Sequence, residues 1–182
     1  RYWARSRHGW PVIRDALPNA AHLALAQLEV RGHIELLITQ NVDRLHQRAG
    51  SRNVVDLHGR VDRVRCLVCA TMHSRDAIQA LLERENQWSC PPQQSPRPDG
   101  DMDVPDKMLL QMTLPQCHLC AGNLMPDVVF FGGTVPAARV TTCLDALERA
   151  DALLAIGSSL MVYSGYRFCR RASQLGKSIA II

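Results

Sequence analysis

The fold is decided by residues 152–182, which read ALLAIGSSLMVYSGYRFCRRASQLGKSIAII. The apolar run over 152–156 predicts a buried strand, and Gly157 with two serines follows it. Apolar residues at helical spacing predict a helix over 163–175, and another strand begins near Ser178. Parallel strands need a long connection, so a strand, a helix and a second strand in this order favour parallel pairing. The stretch therefore predicts an α/β fold.

The same alternation of strands and helices continues through the rest of the chain. Short apolar runs predict further strands over 34–38, 54–57 and 127–131. Helices are predicted over 19–32, 43–49 and 74–84, and after Thr134 and Pro136, which suit an N-cap and an early helix position. Residues 1–18 show no clean period and are predicted to be irregular. Continuous apolar strands between amphipathic helices predict a parallel sheet with helices on both faces.

Length and charge limit the classes of protein to which the chain can belong. It has 182 residues and a formal net charge of +4. This length suits one domain with a small insert. The charge forms no block of like residues, whereas nucleic-acid binding normally needs a concentrated basic stripe. No apolar run approaches the ~20 residues that cross a bilayer, so we expect neither nucleic acid nor a membrane as a partner.

Two Cys-x-x-Cys pairs give the strongest chemical signal, Cys66-Leu-Val-Cys69 and Cys117-His-Leu-Cys120. Two such knuckles can supply four thiolates, which form the closed tetrahedral set of a structural zinc site. The alternatives are two unrelated pairs or redox-active thiols. The remaining cysteines are predicted to be two helix core residues and one loop thiol: Cys143, Cys169 and Cys90. The loop is the proline-rich segment over 90–100, for which we predict no packed structure.

Polar or small residues follow three of the predicted strands at the points where the strands end. They are Gln40, Asn41 and Asp43, then Gly132 and Gly133, and then Gly157, Ser158 and Ser159. Ligands of open α/β sheets bind beyond the carboxyl ends of the strands. Amides and a carboxylate can bind ribose hydroxyls or a carboxamide, and a small turn lets backbone N–H groups approach a phosphate. The alternative is that these residues only form turns.

His58 is a candidate general base in the segment Asp56-Leu-His-Gly59. Its ordinary pKa near 6.5 suits proton abstraction at neutral pH. The alternative is a structural histidine. The chain contains neither a Gly-x-Gly-x-x-Gly loop nor a Gly-x-x-x-x-Gly-Lys loop, so a nucleotide site built from these residues lacks a phosphate cradle.

Five ordered motifs resemble the sirtuins, which are NAD-dependent protein lysine deacylases. The motifs are Thr39-Gln-Asn-Val-Asp43, Leu57-His-Gly59, the two Cys-x-x-Cys pairs, Val128-Val-Phe-Phe-Gly132 and Gly157-Ser-Ser-Leu160. Three more stretches resemble the class II branch, which includes a mitochondrial member and many bacterial ones: Arg1-Tyr-Trp-Ala-Arg5, Gly9-Trp-Pro11 and Val162-Tyr-Ser-Gly-Tyr-Arg167. The resemblance covers nearly the whole chain, except about residues 85–113.

The resemblance implies a fold, a reaction and two bound groups. The fold would be a Rossmann-like NAD-binding domain over residues 1–60 and 126–182, with an inserted zinc-binding module over 61–125. The reaction would transfer the acyl group of a modified lysine to ADP-ribose and release nicotinamide. NAD would be the co-substrate, one Zn²⁺ would be structural, and acylated-lysine proteins would be the substrates.

The resemblance also implies a role for each matching residue. His58 would be the general base, and Cys66, Cys69, Cys117 and Cys120 would hold zinc. The residues expected to bind NAD are Gln40, Asn41, Val42, Asp43, Gly157, Ser158 and Ser159. The residues expected to pair with the substrate backbone are Val129, Phe131 and Gly132.

Three departures from the family pattern affect these expectations. The family's glycine-rich Gly-Ala-Gly-Ile-Ser loop is missing ahead of Arg1, and its Asn-and-Gly turn is missing after the last strand. We therefore expect the chain to be a fragment that binds NAD weakly. Gly133 stands where the family usually has an acidic residue, which removes one expected substrate contact.

Two other functions stay open from the residues and the resemblance. An NAD-dependent protein ADP-ribosyltransferase would use the same site. A zinc-ribbon binding module without catalysis would use only the cysteines, but the arginines near the first knuckle lack the interleaved aromatic residues that such binding favours. The expected location is the bacterial cytoplasm, with the mitochondrial matrix as the alternative, and a monomer is favoured.

Overall fold

The structure is a computed structural model that describes residues 1–87 and 109–182. The chain divides into two compact units. The four-cysteine unit contains Arg1–Leu17 and Arg60–Asp127, and the α/β unit contains Pro18–Gly59 and Val128–Ile182. The predicted loop over 90–100, together with Cys90, lies outside the described residues. No helix within the described residues is both long and apolar enough to span a bilayer.

The described helices are α1 (Tyr2–Asp15), α2 (Ala20–Val30), α3 (Leu45–Arg48), α4 (Arg75–Glu85), α5 (Ala137–Arg149) and α6 (Tyr163–Gln174). The described strands are β1 (Leu37–Thr39), β2 (Val54–Asp56), β3 (Gly59–Cys66), β4 (Met72–Ser74), β5 (Leu124–Val128), β6 (Ala152–Ala155) and β7 (Ser178–Ile181).

The strands of the α/β unit form two parallel pairs. β1 pairs with β2 from Leu37 opposite Val54 onward, and β6 pairs with β7 from Ala152 opposite Ser178 onward. The crossover between β6 and β7 is α6, as predicted from the order of strand, helix and strand. Parallel pairing is therefore confirmed for these strands. It directs the carboxyl ends of β1 and β2 toward the same side, where the polar residues of interest follow.

The core of the α/β unit forms where its helices pack on the strand pairs. Its buried members are Leu57, Val135, Cys143, Leu147, Phe168 and Ala172. Within each of α5 and α6, two of these residues are four positions apart, which places them on one helix face. Burial raises the pKa of the Cys143 thiol to about 11, which keeps it protonated and unreactive. The predicted core positions of Cys143 and Cys169 are confirmed, since both are buried.

Two helix starts of the α/β unit differ in how they are capped. Helix α2 begins as predicted, and Asn19 caps it, because the Asn19 side chain accepts the backbone N–H of His22 at 3.1 Å. The prediction that Thr134 caps the next helix is wrong. The N-cap of α5 is Pro136, which makes no side-chain cap, and its carbonyl accepts the N–H of Arg139 at 3.0 Å. Proline's fixed φ sets the helix start here instead of a hydroxyl.

Helix α1 of the four-cysteine unit contradicts the prediction that residues 1–18 are irregular. Tertiary packing explains the helix, because Trp3 and Trp10 are buried against Arg75, whose guanidinium lies 5.6 Å and 5.3 Å from their rings. The Trp10 indole also donates to Asp76 at 2.9 Å. The first 17 residues therefore group with the cysteines, whereas the family resemblance implies that they belong to the nucleotide-binding domain.

The four-cysteine unit contains a three-stranded sheet in the order β4, β3, β5. Helix α4 packs with it and begins as predicted, with Ser74 accepting the N–H of Ala77 at 3.1 Å. The predicted strand over 127–131 is shifted, because β5 ends at Val128 and Gly133 closes a turn by donating to the Phe130 carbonyl at 2.8 Å. The apolar run predicted as a strand therefore lies mainly in a turn.

Candidate active site and metal centre

The four predicted metal ligands come together in the four-cysteine unit. The sulfurs of Cys66, Cys69, Cys117 and Cys120 all lie within 4.8 Å of one another. Cys66 and Cys120 are 3.5 Å apart at Sγ, and Cys69 and Cys117 are 3.7 Å apart. A tetrahedral zinc with Zn–S bonds of ~2.3 Å requires sulfurs about 3.8 Å apart. The spacing therefore fits Zn²⁺.

The two knuckles have matching backbones. Ala70 and Ala121, each directly after the second cysteine of its pair, have φ values of 60° and 54°. This left-handed residue turns the chain back, and in the first knuckle the N–H groups of Val68 and Cys69 lie 3.4 and 3.5 Å from the Cys66 sulfur. Such donors favour the thiolate, which is the form that binds metal.

Gly122 allows the second knuckle to approach the first. A Cβ at this position would lie 2.7 Å from the Val68 side chain and 3.0 Å from the Cys66 sulfur.

The cysteines of the cluster differ in pKa. The hydroxyl and backbone of Thr71 lower the pKa of Cys69 to about 6. The neighbouring sulfurs outweigh the Gly122 N–H and raise the pKa of Cys120 to about 12. His118, within the second knuckle, is exposed and lies outside the ligand group.

His58 of the α/β unit lies between β2 and β3, with both ring nitrogens hydrogen bonded. Nδ1 is 3.0 Å from the backbone carbonyl of Gln40, and Nε2 is 2.8 Å from the Ser164 hydroxyl. A carbonyl can only accept, so Nδ1 carries the proton and Nε2 has the free electron pair. The ring is half-buried. The backbone carbonyl of Gln40 therefore determines that Nε2 is the basic nitrogen of the ring.

Burial lowers the pKa of His58 below its ordinary value of 6.5. The hydrogen bond that Nδ1 donates to the Gln40 carbonyl raises the pKa, and the positive charge of Arg139 lowers it further. Burial disfavours a charged imidazolium, and so does a nearby cation. His58 is therefore neutral at pH 7, which is the state that can accept a proton.

The predicted residues 40–43 form the turn that joins β1 to α3. The Gln40 side chain donates to the Ser158 hydroxyl at 3.1 Å, which links this turn to the predicted turn after β6. Asp43 accepts the N–H of Leu45 at 2.9 Å, so its carboxylate is partly committed to the start of α3. Asn41 is exposed and Val42 is partly buried. The structure thus brings two of the predicted turns together.

The turn after β6 has the small, open character that the sequence predicts. Gly157 has a φ of 61°, which glycine adopts without strain. Gly157 and Ser159 are exposed, while Ser158 is partly buried and accepts both the Gln40 side chain and the N–H of Leu160 at 3.2 Å. Ser158 therefore joins the two turns by hydrogen bonds and is also a candidate contact for NAD.

The three residues predicted to pair with a substrate follow β5. Phe131 is 99% exposed, and Gly132 is also exposed. Val129 is partly buried and donates its backbone N–H to the His58 carbonyl at 2.7 Å. This places the predicted segment directly against the histidine. The Val129 N–H is already used by this bond and cannot pair with a partner strand.

Sequence reasoning assigned no role to two further groups of the α/β unit. Ser164 and Gly165 open α6 and are both buried. Arg44 forms an ion pair with Asp56, which also accepts from Gln47 at 2.9 Å. The small Ser-Gly pair in the first turn of α6 is a local signal of a close approach, but it does not identify the histidine that Ser164 contacts.

Replacing Gly165 with alanine is expected to change the free energy of unfolding in opposite directions with and without the Gln40 side chain. In the native protein an added Cβ would lie 2.7 Å from the Gln40 side-chain nitrogen, so that side chain must move and lose its hydrogen bond to Ser158. In a Gln40→Ala background the same substitution should instead stabilise the helix by up to about 1 kcal/mol. Urea unfolding of the four proteins of this double-mutant cycle measures the coupling, and a coupling energy near zero would contradict the contact.

The chain thus combines a parallel α/β unit, a histidine with a defined basic nitrogen, and a closed four-cysteine cluster. The model of the Sir2 family matches residues 1–164. An NAD-dependent protein deacetylase of Xanthomonas campestris is 52% identical over 182 residues, which are 100% of this chain and 62% of the relative. An NAD-dependent protein deacetylase of Bordetella bronchiseptica is 53% identical over 183 residues, covering 100% of this chain and 66% of the relative.

A solved Sir2 complex, "Sir2-p53 peptide-NAD+", has the same fold with a TM-score of 0.72 at 31% identity, covering 93% of this chain and 59% of that chain. The chain belongs to the Sir2 family. Its fold is the Rossmann-like α/β fold of the sirtuins, with a cysteine cluster consistent with a zinc module. The resemblance and fold class predicted from the motifs are confirmed, whereas the class II branch stays a prediction. The chain spans 62% and 66% of the two bacterial relatives' lengths.

Proposed function

We propose that the whole protein is an NAD-dependent protein lysine deacylase. The observation that carries the proposal is the state of His58: its Nδ1 proton is fixed by the Gln40 carbonyl, and its Nε2 has a free electron pair. The two bacterial relatives, both named NAD-dependent protein deacetylases, support the same reaction. The match of the family to both units speaks against a zinc ribbon without catalysis.

His58 would act as the general base through Nε2. The burial that lowers its pKa keeps the ring neutral, so a ribose hydroxyl of bound NAD can transfer its proton to this nitrogen. Bound NAD would supply the ADP-ribose: nicotinamide would leave first, as the acyl oxygen attacks the ribose carbon, and a ribose hydroxyl would then attack the acyl carbon with His58 taking its proton. The Nδ1 bond to Gln40 stabilises the imidazolium that forms, because the backbone carbonyl is a fixed acceptor.

The turns around His58 would bind NAD. The exposed Asn41 offers an amide, Asp43 a carboxylate, and Val42 the apolar surface between them. Gly157, Ser158 and Ser159 offer a small turn that ribose or adenine can approach closely. The hydrogen bond between Gln40 and Ser158 would hold the turn after β1 and the turn after β6 close together.

The segment after β5 would bind the acylated-lysine peptide. Phe131 and Gly132 are exposed, so their backbone groups can pair with an extended chain. An extended peptide gains affinity from main-chain hydrogen bonds of this kind. The bond from Val129 to His58 would bring the acyl group and the base into one site.

The test is nicotinamide release by the whole protein, measured with NAD and an acetyl-lysine peptide together and with each alone. Release that needs both, with free lysine and an O-acyl-ADP-ribose found by mass spectrometry, supports the proposal. Transfer of ADP-ribose to a protein without loss of the acyl group would instead identify an ADP-ribosyltransferase and overturn it.

The pH dependence of the reaction should reflect the lowered pKa of His58. The neutral ring is the active form, so kcat/KM should fall with acid only below pH 6.5, the ordinary value from which burial lowers the pKa. Arg139→Gln removes a cation that lowers this pKa, so the acid limb should move to higher pH. Arg139→Lys keeps the charge and serves as the control. An acid limb that does not move in Arg139→Gln would contradict the assignment.

A further inference from the structure

Ser164 is the second hydrogen-bond partner of the His58 ring. Its hydroxyl oxygen lies 2.8 Å from Nε2. Because Nδ1 already carries the ring proton, Nε2 can only accept, and the serine hydroxyl must donate. The hydroxyl is thus directed at the nitrogen that takes the proton in the proposed reaction.

The backbone holds Ser164 in place. It lies in the first turn of α6, where the Val162 carbonyl accepts the N–H groups of Gly165 and Tyr166, both at 3.1 Å. The side chain is buried, with 9% of its surface exposed. A buried residue in a formed helical turn has few accessible rotamers, so its hydroxyl offers a fixed position to the half-buried imidazole.

Gly165 closes the arrangement on the other side. Its Cα faces the end of the Gln40 side chain, where an added Cβ would approach to 2.7 Å. The same Gln40 accepts from His58 through its carbonyl. The first turn of α6, Gln40 and His58 therefore pack as one network, in which Ser164 and the Gln40 carbonyl hold opposite nitrogens of the ring.

We infer that Ser164 is a positioning residue for His58, and that its hydroxyl holds Nε2 in place until a substrate hydroxyl replaces it as the donor. The inference rests on the proposed function, since it needs His58 as the base. Burial of Ser164 favours positioning over direct contact with substrate. Without the hydroxyl, the half-buried ring can rotate about its Cβ–Cγ bond, and Nε2 faces the substrate for less of the time.

The direct test is nitrogen NMR of the His58 ring in the 182-residue chain without NAD. In Ser164→Ala the Nε2 resonance should move to the position of an imidazole nitrogen without a hydrogen bond. Ser164→Thr keeps the hydroxyl and should retain the native resonance. Ser173→Ala, which removes an exposed hydroxyl from the same helix, is the matched control. An unchanged Nε2 resonance in Ser164→Ala would overturn the inference.

The kinetic test separates positioning from a merely structural role. In the whole protein, Ser164→Ala should lower kcat for deacylation roughly tenfold to a hundredfold, less than the full contribution of a general base. Exchange of labelled nicotinamide into NAD precedes the use of the base, so it should stay within about twofold, and Ser164→Thr should recover the deacylation rate.

Three outcomes decide between the explanations. Equal loss of exchange and deacylation, with a lower melting temperature, would mean that Ser164 is structural and the inference is wrong. A deacylation rate within twofold of wild type in Ser164→Ala would also reject it, and the proposed function would then stand on His58→Ala alone. If His58→Ala itself keeps deacylation, the proposed function fails first and the inference with it.

Discussion

Deacylation by the whole protein is expected to fall by about 10²–10⁴-fold when His58 is replaced by alanine, because general base catalysis contributes an effect of this size. The substitution removes the only group at the site whose basic nitrogen is defined by two hydrogen bonds within the described residues. Zinc content should not change, because the four cysteines lie in the other unit. Single-turnover deacylation and elemental analysis of the same preparation measure both results.

A matched control excludes a general effect of losing a histidine. His33 is exposed in the same unit, and His33→Ala should leave the rate close to wild type. The His58 variant loses two hydrogen bonds, so we expect its free energy of unfolding to drop by about 1–3 kcal/mol. Near-normal deacylation in folded His58→Ala would show that the histidine is structural.

Local patterns in the sequence were sufficient to predict a feature when the residues that form it are close in the chain or carry a recognisable spacing. The spacing of the two Cys-x-x-Cys pairs identified a cluster whose sulfurs prove to lie within 4.8 Å of one another. The helix starts at Asn19 and Ser74 were also predicted, and each side chain accepts a backbone N–H three residues ahead. In these cases the chemistry is contained within a few positions of the chain.

Features that depend on distant contacts were not readable in this way. Helix α1 has no clean apolar period, and it is packed by Arg75, more than 60 positions later, which lies against Trp3 and Trp10. Ser164 contacts a histidine 106 positions earlier in the chain. A serine at the start of a helix has the same local signature whether it contacts water or an imidazole. Tertiary contacts decide between these roles, and one sequence does not contain them.

The four-cysteine cluster leads to the prediction with the largest effect on folding. Cys66→Ser is expected to release zinc and unfold the four-cysteine unit, because structural zinc contributes about 10–16 kcal/mol to the folding of small zinc modules. Cys66 is buried, and its sulfur lies 3.5 Å from that of Cys120, so a serine hydroxyl there would replace a soft thiolate at the centre of the site.

Zinc content and hydrogen exchange together test this expectation. Wild-type protein purified without chelator should hold one zinc per chain, and Cys66→Ser should hold almost none. Amide protection should be lost across β3, which carries Cys66 at its end and pairs with β4, because the metal joins the two knuckles that close this sheet. Cys169→Ala removes a buried thiol from the other unit and should keep both zinc and the protection of β3. Wild-type protein without stoichiometric zinc, or a Cys66→Ser variant with native protection of β3, would mean that thiol packing alone holds the unit together.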